Sequence, residues 1–323
     1  MNTANISRSY RQAMILLHGQ PFAGYRIGHP INLSQQAKTY EASIPPVVCD
    51  KGRIVTALTR PTVIIKTATA DAPEGQRLAW EAQHQKDINH PDFPKHIADG
   101  IDAETELFYL AMEKLEGKCL VQRLREGKLG LLESISILID LCAPLSALHQ
   151  AGLIHRDLKP GNIFLSDTGT KLLDLGLVFD IREQSGACGV FRSGGLVGTP
   201  EYCAPEQVQL PRLQLDQRTD IYSLGLVAYE MITGHIPIKG GNDQETAALQ
   251  VTQALPAISI IFFMSRFRTG GPGNAKPILN KINGMIAKAT NKDMGERFQD
   301  VESLESALFG IRTLAQRIES NPK

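Results

Sequence analysis

Residues 153–165 read LIHRDLKPGNIFL, placing His155, Arg156, Asp157, Lys159 and Asn162 between two apolar runs. Charges set against a core persist only when they are paired, metal-bound or used in chemistry. Just downstream, NIFLS and TKLLD are short apolar segments separated by Asp167, Thr168 and Gly169, which predicts a hairpin. Antiparallel pairing then sets Asn162, where the first strand begins, beside Asp174, where the second ends. Both carry hard oxygen donors, the kind that magnesium takes from protein while water and phosphate fill the rest of its shell. Asp157 lies in the same loop, placed to accept a proton from a hydroxyl nucleophile, and Lys159 to offset charge on a transferred group.

Farther out, the sequence falls into two regimes. Up to about residue 112 it is strand-like, with TVIIK ending at Lys66 and ELFYLAME ending at Glu113, interrupted by a helical stretch around GQRLAWEAQHQKDI. Helical periodicity then takes over. Ile135, Leu138, Cys142, Leu145 and Leu148 recur at three and four, with Pro144 expected to kink or break the helix and Gly152 to stop it. Asp220 stands where an N-cap would, before Ile221, Leu224, Val227, Met231 and Ile232, and Gly234 closes that helix. Val301, Leu304, Leu308, Ile311 and Leu314 form a last helix with Asp300 as cap, and RTGGPGNAKP (268–277) reads as a loop. The class is α+β.

With 323 residues, 42% of them hydrophobic, the chain has ample material for a core. Lys plus Arg (34) balances Asp plus Glu (34), so no net field favours nucleic acid or an anionic membrane. Cys49, Cys119, Cys142, Cys188 and Cys203 are odd in number and lack a CxxC pair, which argues for free thiols in a reducing compartment. The N-terminal stretch has no cleavage site of signal-peptide type. ISIIFFM (258–264) is far short of a membrane span. A cytoplasmic protein without a membrane span is expected; nothing in the sequence indicates an oligomeric state.

His155-Arg156-Asp157 followed by Asn162 fits H-R-D-x-x-x-x-N, and here the sequence resembles the eukaryotic-like Ser/Thr protein kinases, with the KPGN wording similar to bacterial members. The resemblance covers about residues 25–315. It implies a bilobal protein kinase fold: a small β-rich N-lobe (about 25–112) and a larger helical C-lobe (about 116–315), with residues 1–24 an N-terminal extension and 316–323 a tail. By resemblance Lys66 is the ATP-anchoring lysine and Glu81 its helix partner; each alone reads as an ordinary solvated polar residue. Met112 resembles the gatekeeper, and Glu113 and Leu115 the hinge contacts to adenine. Ile31, Thr39, Ile64 and Phe164 complete the nucleotide pocket. Asn162 and Asp174, the latter in DLG where the family usually has DFG, would hold Mg2+, for which Mn2+ is a possible substitute. GTPEYCAPE (198–206) resembles the segment that receives a peptide, with Thr199 touching Asp157 and Lys159 and Glu206 pairing with Arg297. Asp220 resembles the helix aspartate that holds the catalytic-loop backbone. The implied activity is transfer of the γ-phosphoryl group of ATP to Ser/Thr hydroxyls of proteins, with autophosphorylation, in signalling. Arg156 resembles an arginine that receives a phosphate from the activation segment, with Ser185, Ser193 and Thr199 as candidates and Ser193 first.

The family's glycine-rich loop is altered. NLSQQAKTYEA carries Asn32, Ser34 and Ala37 at the glycine positions and Thr39 at the usual valine, and Ile64 replaces a small roof residue, so the pocket is expected to be tight. SIPPVVCDKGRIVTALTR (43–60) is an insertion of unread purpose. A second reading therefore stands beside the first: a weak or inactive pseudokinase that works as a scaffold. A third, a small-molecule phosphotransferase, would have no use for a peptide platform.

Overall fold

The computed structural model describes residues 15–34, 37–44, 62–88, 90–182, 185–186, 197–209, 215–267 and 269–320. The insertion beyond residue 44, Ser193, Cys49 and Cys188 lie outside them. The chain forms two compact units, Met1–Glu116 and Gly117–Lys323.

In the N-terminal unit, β1 (Pro21–Phe22), β2 (Tyr25–Leu33), β3 (Lys38–Ser43), β4 (Thr62–Thr69), β5 (His96–Ile101) and β6 (Leu107–Glu113) pair antiparallel in the order β1-β2-β3-β4-β6-β5, with α1 (Pro73–Asp87) packed on β4, β5 and β6. Alternation along β4 divides its side chains between two cores. Val63 and Ile65 join Phe22, Tyr25, Ile27, Tyr40 and Leu107 on one face. Ile64 and Ala68 share the other with Leu78 and Ala82 of α1 and with Leu110 and Met112. Lys66 lies between Ile64 and Ala68 and so points to the helix face. The strand runs three residues past Lys66, where the sequence reading stopped, because Thr67 to Thr69 still pair with β6. Leu16 and Phe22, from the stretch read as an extension, are buried in the first core.

The C-terminal unit contains β7 (Gly117–Cys119), α2 (Leu120–Glu126), α3 (Leu131–Asp140), α4 (Cys142–Gln150), β8 (Leu153–Ile154), β9 (Ile163–Ser166), β10 (Gly169–Leu172), β11 (Phe179–Asp180), β12 (Ser185–Gly186), α5 (Pro205–Val208), α6 (Arg218–Thr233), α7 (Asp243–Thr252), α8 (Ile260–Arg266), α9 (Pro272–Ala289) and α10 (Val301–Ser320). The expected hairpin is β9–β10, with Ser166 opposite Gly169 and Ile163 opposite Leu172. The break foreseen near Pro144 falls at Leu141, between α3 and α4, leaving Pro144 in a first turn, where a missing N–H is harmless. Leu131–Gln150 is apolar enough by composition to span a membrane, but α3 packs on α6 and α10, and Ile135, Leu138, Cys142, Leu145 and Leu148 are all buried. Gly234 closes α6 at φ +77°, and Asp300 caps α10 by accepting from the Ser303 amide at 2.8 Å.

Two expectations need correction. Asp220 is not the N-cap of α6. That helix begins two residues earlier, where Asp216 accepts from the Arg218 amide at 2.9 Å, and Asp220 sits one turn in with no exposed surface. The loop read over 268–277 is also too long. Pro272 starts α9, at the position its fixed φ suits, and the helix runs on through Pro277 because Ala275, Ile278, Leu279 and Ile282 are buried along one face.

Candidate active site

In the N-terminal unit the Lys66 ammonium lies 2.6 Å from Glu81 Oε1, with the two side chains 17% and 7% exposed. A carboxylate buried to that degree needs a partner, and the inward face of α1 presents it to β4. Ile64 is the cross-strand neighbour of Met112, and Lys66 that of Leu110 on one side and Thr39 on the other. Lys66, Ile64, Met112 and Thr39 thus meet on adjacent strands. Ile31 lies on β2 with 58% of its surface exposed, the Glu113 amide donates to the Lys95 carbonyl at 2.9 Å, and Leu115 is half-buried after β6. In the turn that lacks glycine, Ser34 Oγ donates to the Ala37 carbonyl at 2.8 Å and accepts from the Ala37 amide at 3.2 Å. A side-chain clamp thus ties Ser34 to Ala37, at two of the positions where the family has glycine.

In the C-terminal unit Asp157 and Lys159 are paired. Asp157 Oδ1 accepts from the Thr199 hydroxyl at 2.7 Å, and Oδ2 accepts from Lys159 Nζ at 2.6 Å and Asn162 Nδ2 at 3.0 Å. Lys159 also donates to Thr199 Oγ1 at 2.7 Å, closing a triangle. Asn162 Nδ2 donates to the Asp157 carbonyl as well, at 2.9 Å. With its nitrogen engaged in this way, the amide has its oxygen left for a hard cation. Asp174, at φ +66°, follows β10 and accepts from the Gly176 amide at 3.1 Å. One amide oxygen and one carboxylate suit magnesium, which completes its shell from phosphate and water. Phe164 lies on β9, paired with Cys119 and Lys171.

The loop is held from behind. Asp220 accepts from the His155 and Arg156 amides and from His149 Nε2, each at 2.9 Å. Burial raises its pKa, but the His149 hydrogen bond, the charges of His149 and His155 and the backbone donor outweigh this, and the net shift is downward. Arg156 adopts φ +65°, costly for a residue with a Cβ. Asp220 holds its N–H, Gln207 Nε2 donates to its carbonyl at 2.9 Å, and its Nε donates to the Leu177 carbonyl at 2.8 Å while the guanidinium lies 5.3 Å from the Phe179 ring. Gly198, at φ +110°, runs so close that a Cβ there would stand 2.9 Å from the Arg156 carbonyl. His155 accepts from the Asp157 amide at 3.3 Å and pairs with the Leu173 carbonyl at 3.1 Å, tying the Asp157 loop to the residue before Asp174. Sequence reading missed His155 and Gln207 as positioning residues, since what they tie in, the Leu173 and Arg156 carbonyls, lies 18 and 51 positions away. Glu206 and Arg297 form a buried two-bond pair at 2.7 and 2.9 Å, as expected.

A family profile described as "Protein kinase domain" matches residues 53–309. A probable serine/threonine-protein kinase of Clostridium perfringens is 31% identical over 73% of this chain and 32% of its own length, and the Myxococcus xanthus serine/threonine-protein kinase pkn3 is 28% identical over 81% and 46%. The chain therefore spans about a third to a half of these relatives. The crystal structure of the Mycobacterium tuberculosis PknI kinase domain aligns with a TM-score of 0.63 at 20% identity, covering 92% of this chain and 99% of that one, a likeness of fold.

Proposed function

The chain belongs to the protein kinase family, among its bacterial serine/threonine-type members, and from that premise we propose that it transfers the γ-phosphoryl group of ATP to Ser or Thr hydroxyls of proteins, itself included. The observation that carries this reading is the triangle of Asp157, Lys159 and Thr199. It fastens the segment that would receive a peptide to the carboxylate that would take the hydroxyl proton. The substrate hydroxyl would take the place of Thr199 on Asp157, while Lys159 offsets charge growing on the transferred group. Lys66, steadied by Glu81, would position phosphate oxygens. Asn162 and Asp174 would hold Mg2+, with Mn2+ as a possible substitute, and the metal when bound neutralises phosphate charge. Ile31, Thr39, Ile64, Met112, Glu113, Leu115 and Phe164 are proposed to contact the nucleotide. A cytoplasmic setting and a role in signalling fit this activity.

The test is incorporation of labelled γ-phosphate, with magnesium, into the protein and into a generic Ser/Thr substrate. We expect incorporation by the native sequence, at least a hundredfold loss in Asp157→Ala, the scale of removing a general base, and a comparable loss in Asp174→Ala, which removes the carboxylate proposed for the metal. Folded native protein that labels no more than the variants would support the scaffold instead, and labelling of metabolites alone would support a small-molecule phosphotransferase.

A further inference from the structure

Behind the segment that would receive a peptide, side chains from three separate parts of the C-terminal unit form a line of hydrogen bonds that no step above uses. Gln250, near the end of α7, has no exposed surface, and its Nε2 donates to the carbonyls of Pro200 at 3.1 Å and Glu201 at 2.9 Å. Tyr222 of α6, equally buried, donates its hydroxyl to Gln250 Oε1 at 2.9 Å. Lys292, half-buried after α9, donates from Nζ to the Tyr222 oxygen at 2.6 Å and to the Gln250 carbonyl at 2.7 Å.

The direction of the line is set at its source. An ammonium only donates, so the Tyr222 oxygen accepts from Lys292 and its single proton goes to Gln250 Oε1. Both Nε2 hydrogens of the amide are then left for Pro200 and Glu201. A flipped amide would instead set Oε1 against two carbonyl oxygens. The Tyr222 ring is itself held between cations, with Lys292 Nζ 5.0 Å and the Arg297 guanidinium 4.8 Å from its centre. Burial, then the charge of Arg297, pulls the Lys292 pKa down to about 8, against the pull of Cys203 and Glu206. An apolar side chain would sit there at less cost. What the lysine contributes is a donor with a fixed sense.

The carbonyls held in this way belong to the segment fastened to Asp157. Pro200 follows Thr199, whose hydroxyl is bonded to that carboxylate, and the Thr199 carbonyl accepts from the Tyr202 amide at 2.9 Å to close a turn. Ser223 Oγ donates to the Tyr202 carbonyl at 2.7 Å. The backbone from Pro200 to Tyr202 thus rests, carbonyl by carbonyl, on side chains of α6 and α7. We propose that Gln250 is a positioning residue for the protein substrate, and that Lys292, acting through Tyr222, keeps its amide turned so that the Pro200–Glu201 backbone holds the place peptide binding requires. This rests on the kinase reading and assigns acceptor binding to residues outside its motifs. A brace under the peptide serves the bound and transition states alike, so its loss raises the KM for the acceptor and leaves kcat and the KM for ATP in place.

The test uses the full chain with Lys292→Met and Gln250→Met, unbranched replacements that fill space and donate nothing. Lys292→Met removes a charge from a site that disfavours it, which keeps a folded variant in hand if Gln250→Met fails to fold. Leaving a buried carbonyl without its donor corresponds to roughly tenfold, so amide hydrogen exchange across residues 198–206 should quicken by about that factor, with β9, β10 and α10 unchanged. The KM for dephosphorylated casein, as Ser/Thr acceptor, should rise about tenfold, with kcat and the KM for ATP within about twofold of native. Native exchange rates across 198–206 in Lys292→Met, exchange quickened everywhere alike, or a fall in kcat with both KM values unmoved would overturn the proposal. Native protein that labels neither casein nor itself, while the variants still loosen residues 198–206, would overturn the kinase reading and leave the hold of Gln250 on that segment standing, so the two fail separately.

Discussion

Asp220 is the residue on which the arrangement of the Asp157 loop depends. It has no exposed surface and accepts three donors, two of them amides of the residues just before Asp157. Asp220→Asn turns one acceptor oxygen into a donor facing N–H groups, which we expect to cost about 3 kcal/mol in urea unfolding at neutral pH. The pKa of Asp220 is held below its ordinary 3.8 in the fold. A depressed folded value means that the unfolded chain takes up the proton first as pH falls. The stabilisation is therefore whole well above 3.8 and is lost as pH drops through 3.8 towards the folded value. The gap between native and Asp220→Asn stabilities should hold from pH 7 to about 5 and close below about 4; a gap independent of pH would remove the carboxylate from this account. At this scale, the residues proposed to do chemistry were legible as candidates because phosphoryl transfer needs fixed types at fixed spacing. Residues that position them were not. An aspartate near a helix start reads equally well as cap or first turn. Gln207 acts on carbonyls of Arg156 and Val197, which no local pattern reveals.

Between elements, the Glu206–Arg297 pair joins the start of α5 to the turn before α10, with 1% and 0% of the side chains exposed. Removing one partner strands a buried charge. Arg297→Met should lower unfolding stability by about 3–5 kcal/mol, and adding Glu206→Gln should recover part of it. Additive losses in denaturant titrations would show that the two side chains act independently. The elements themselves were readable wherever burial is periodic: β4, α1, α3, α4, the β9–β10 hairpin and α10 stand close to their expected places. The start of α9 was not, because Gly270, Gly271, Pro272 and Pro277 advertise a loop locally while apolar residues spaced at three and four bury the same stretch from Ala275 onward. Tertiary burial outweighed local preference there.

At the scale of the whole molecule, two units each carry a finished half of the expected machinery: Lys66 on Glu81 in one, and Asp157 on Lys159, Asn162 and Thr199 in the other. The chain divides into its two units at Glu116, and strand periodicity gives way to helical periodicity after about residue 112. One feature of the second unit bears on timing. Arg156, the side chain that resembles a phosphate receiver, already spends its Nε on Leu177 and its guanidinium face on Phe179, with backbone partners on both sides. A phosphate arriving at this arginine would meet a side chain whose Nε and guanidinium face are already engaged. The loop is in order before any modification, so we expect freshly prepared, unphosphorylated protein to convert substrate at full speed from the first seconds, with straight progress curves that do not depend on enzyme dilution. An initial lag that pre-incubation with ATP abolishes would mean that the contacts of Arg156 have to be broken and replaced before work begins. A straight line from time zero would mean that the chain has no latent period and that its output is set by its supply of substrate.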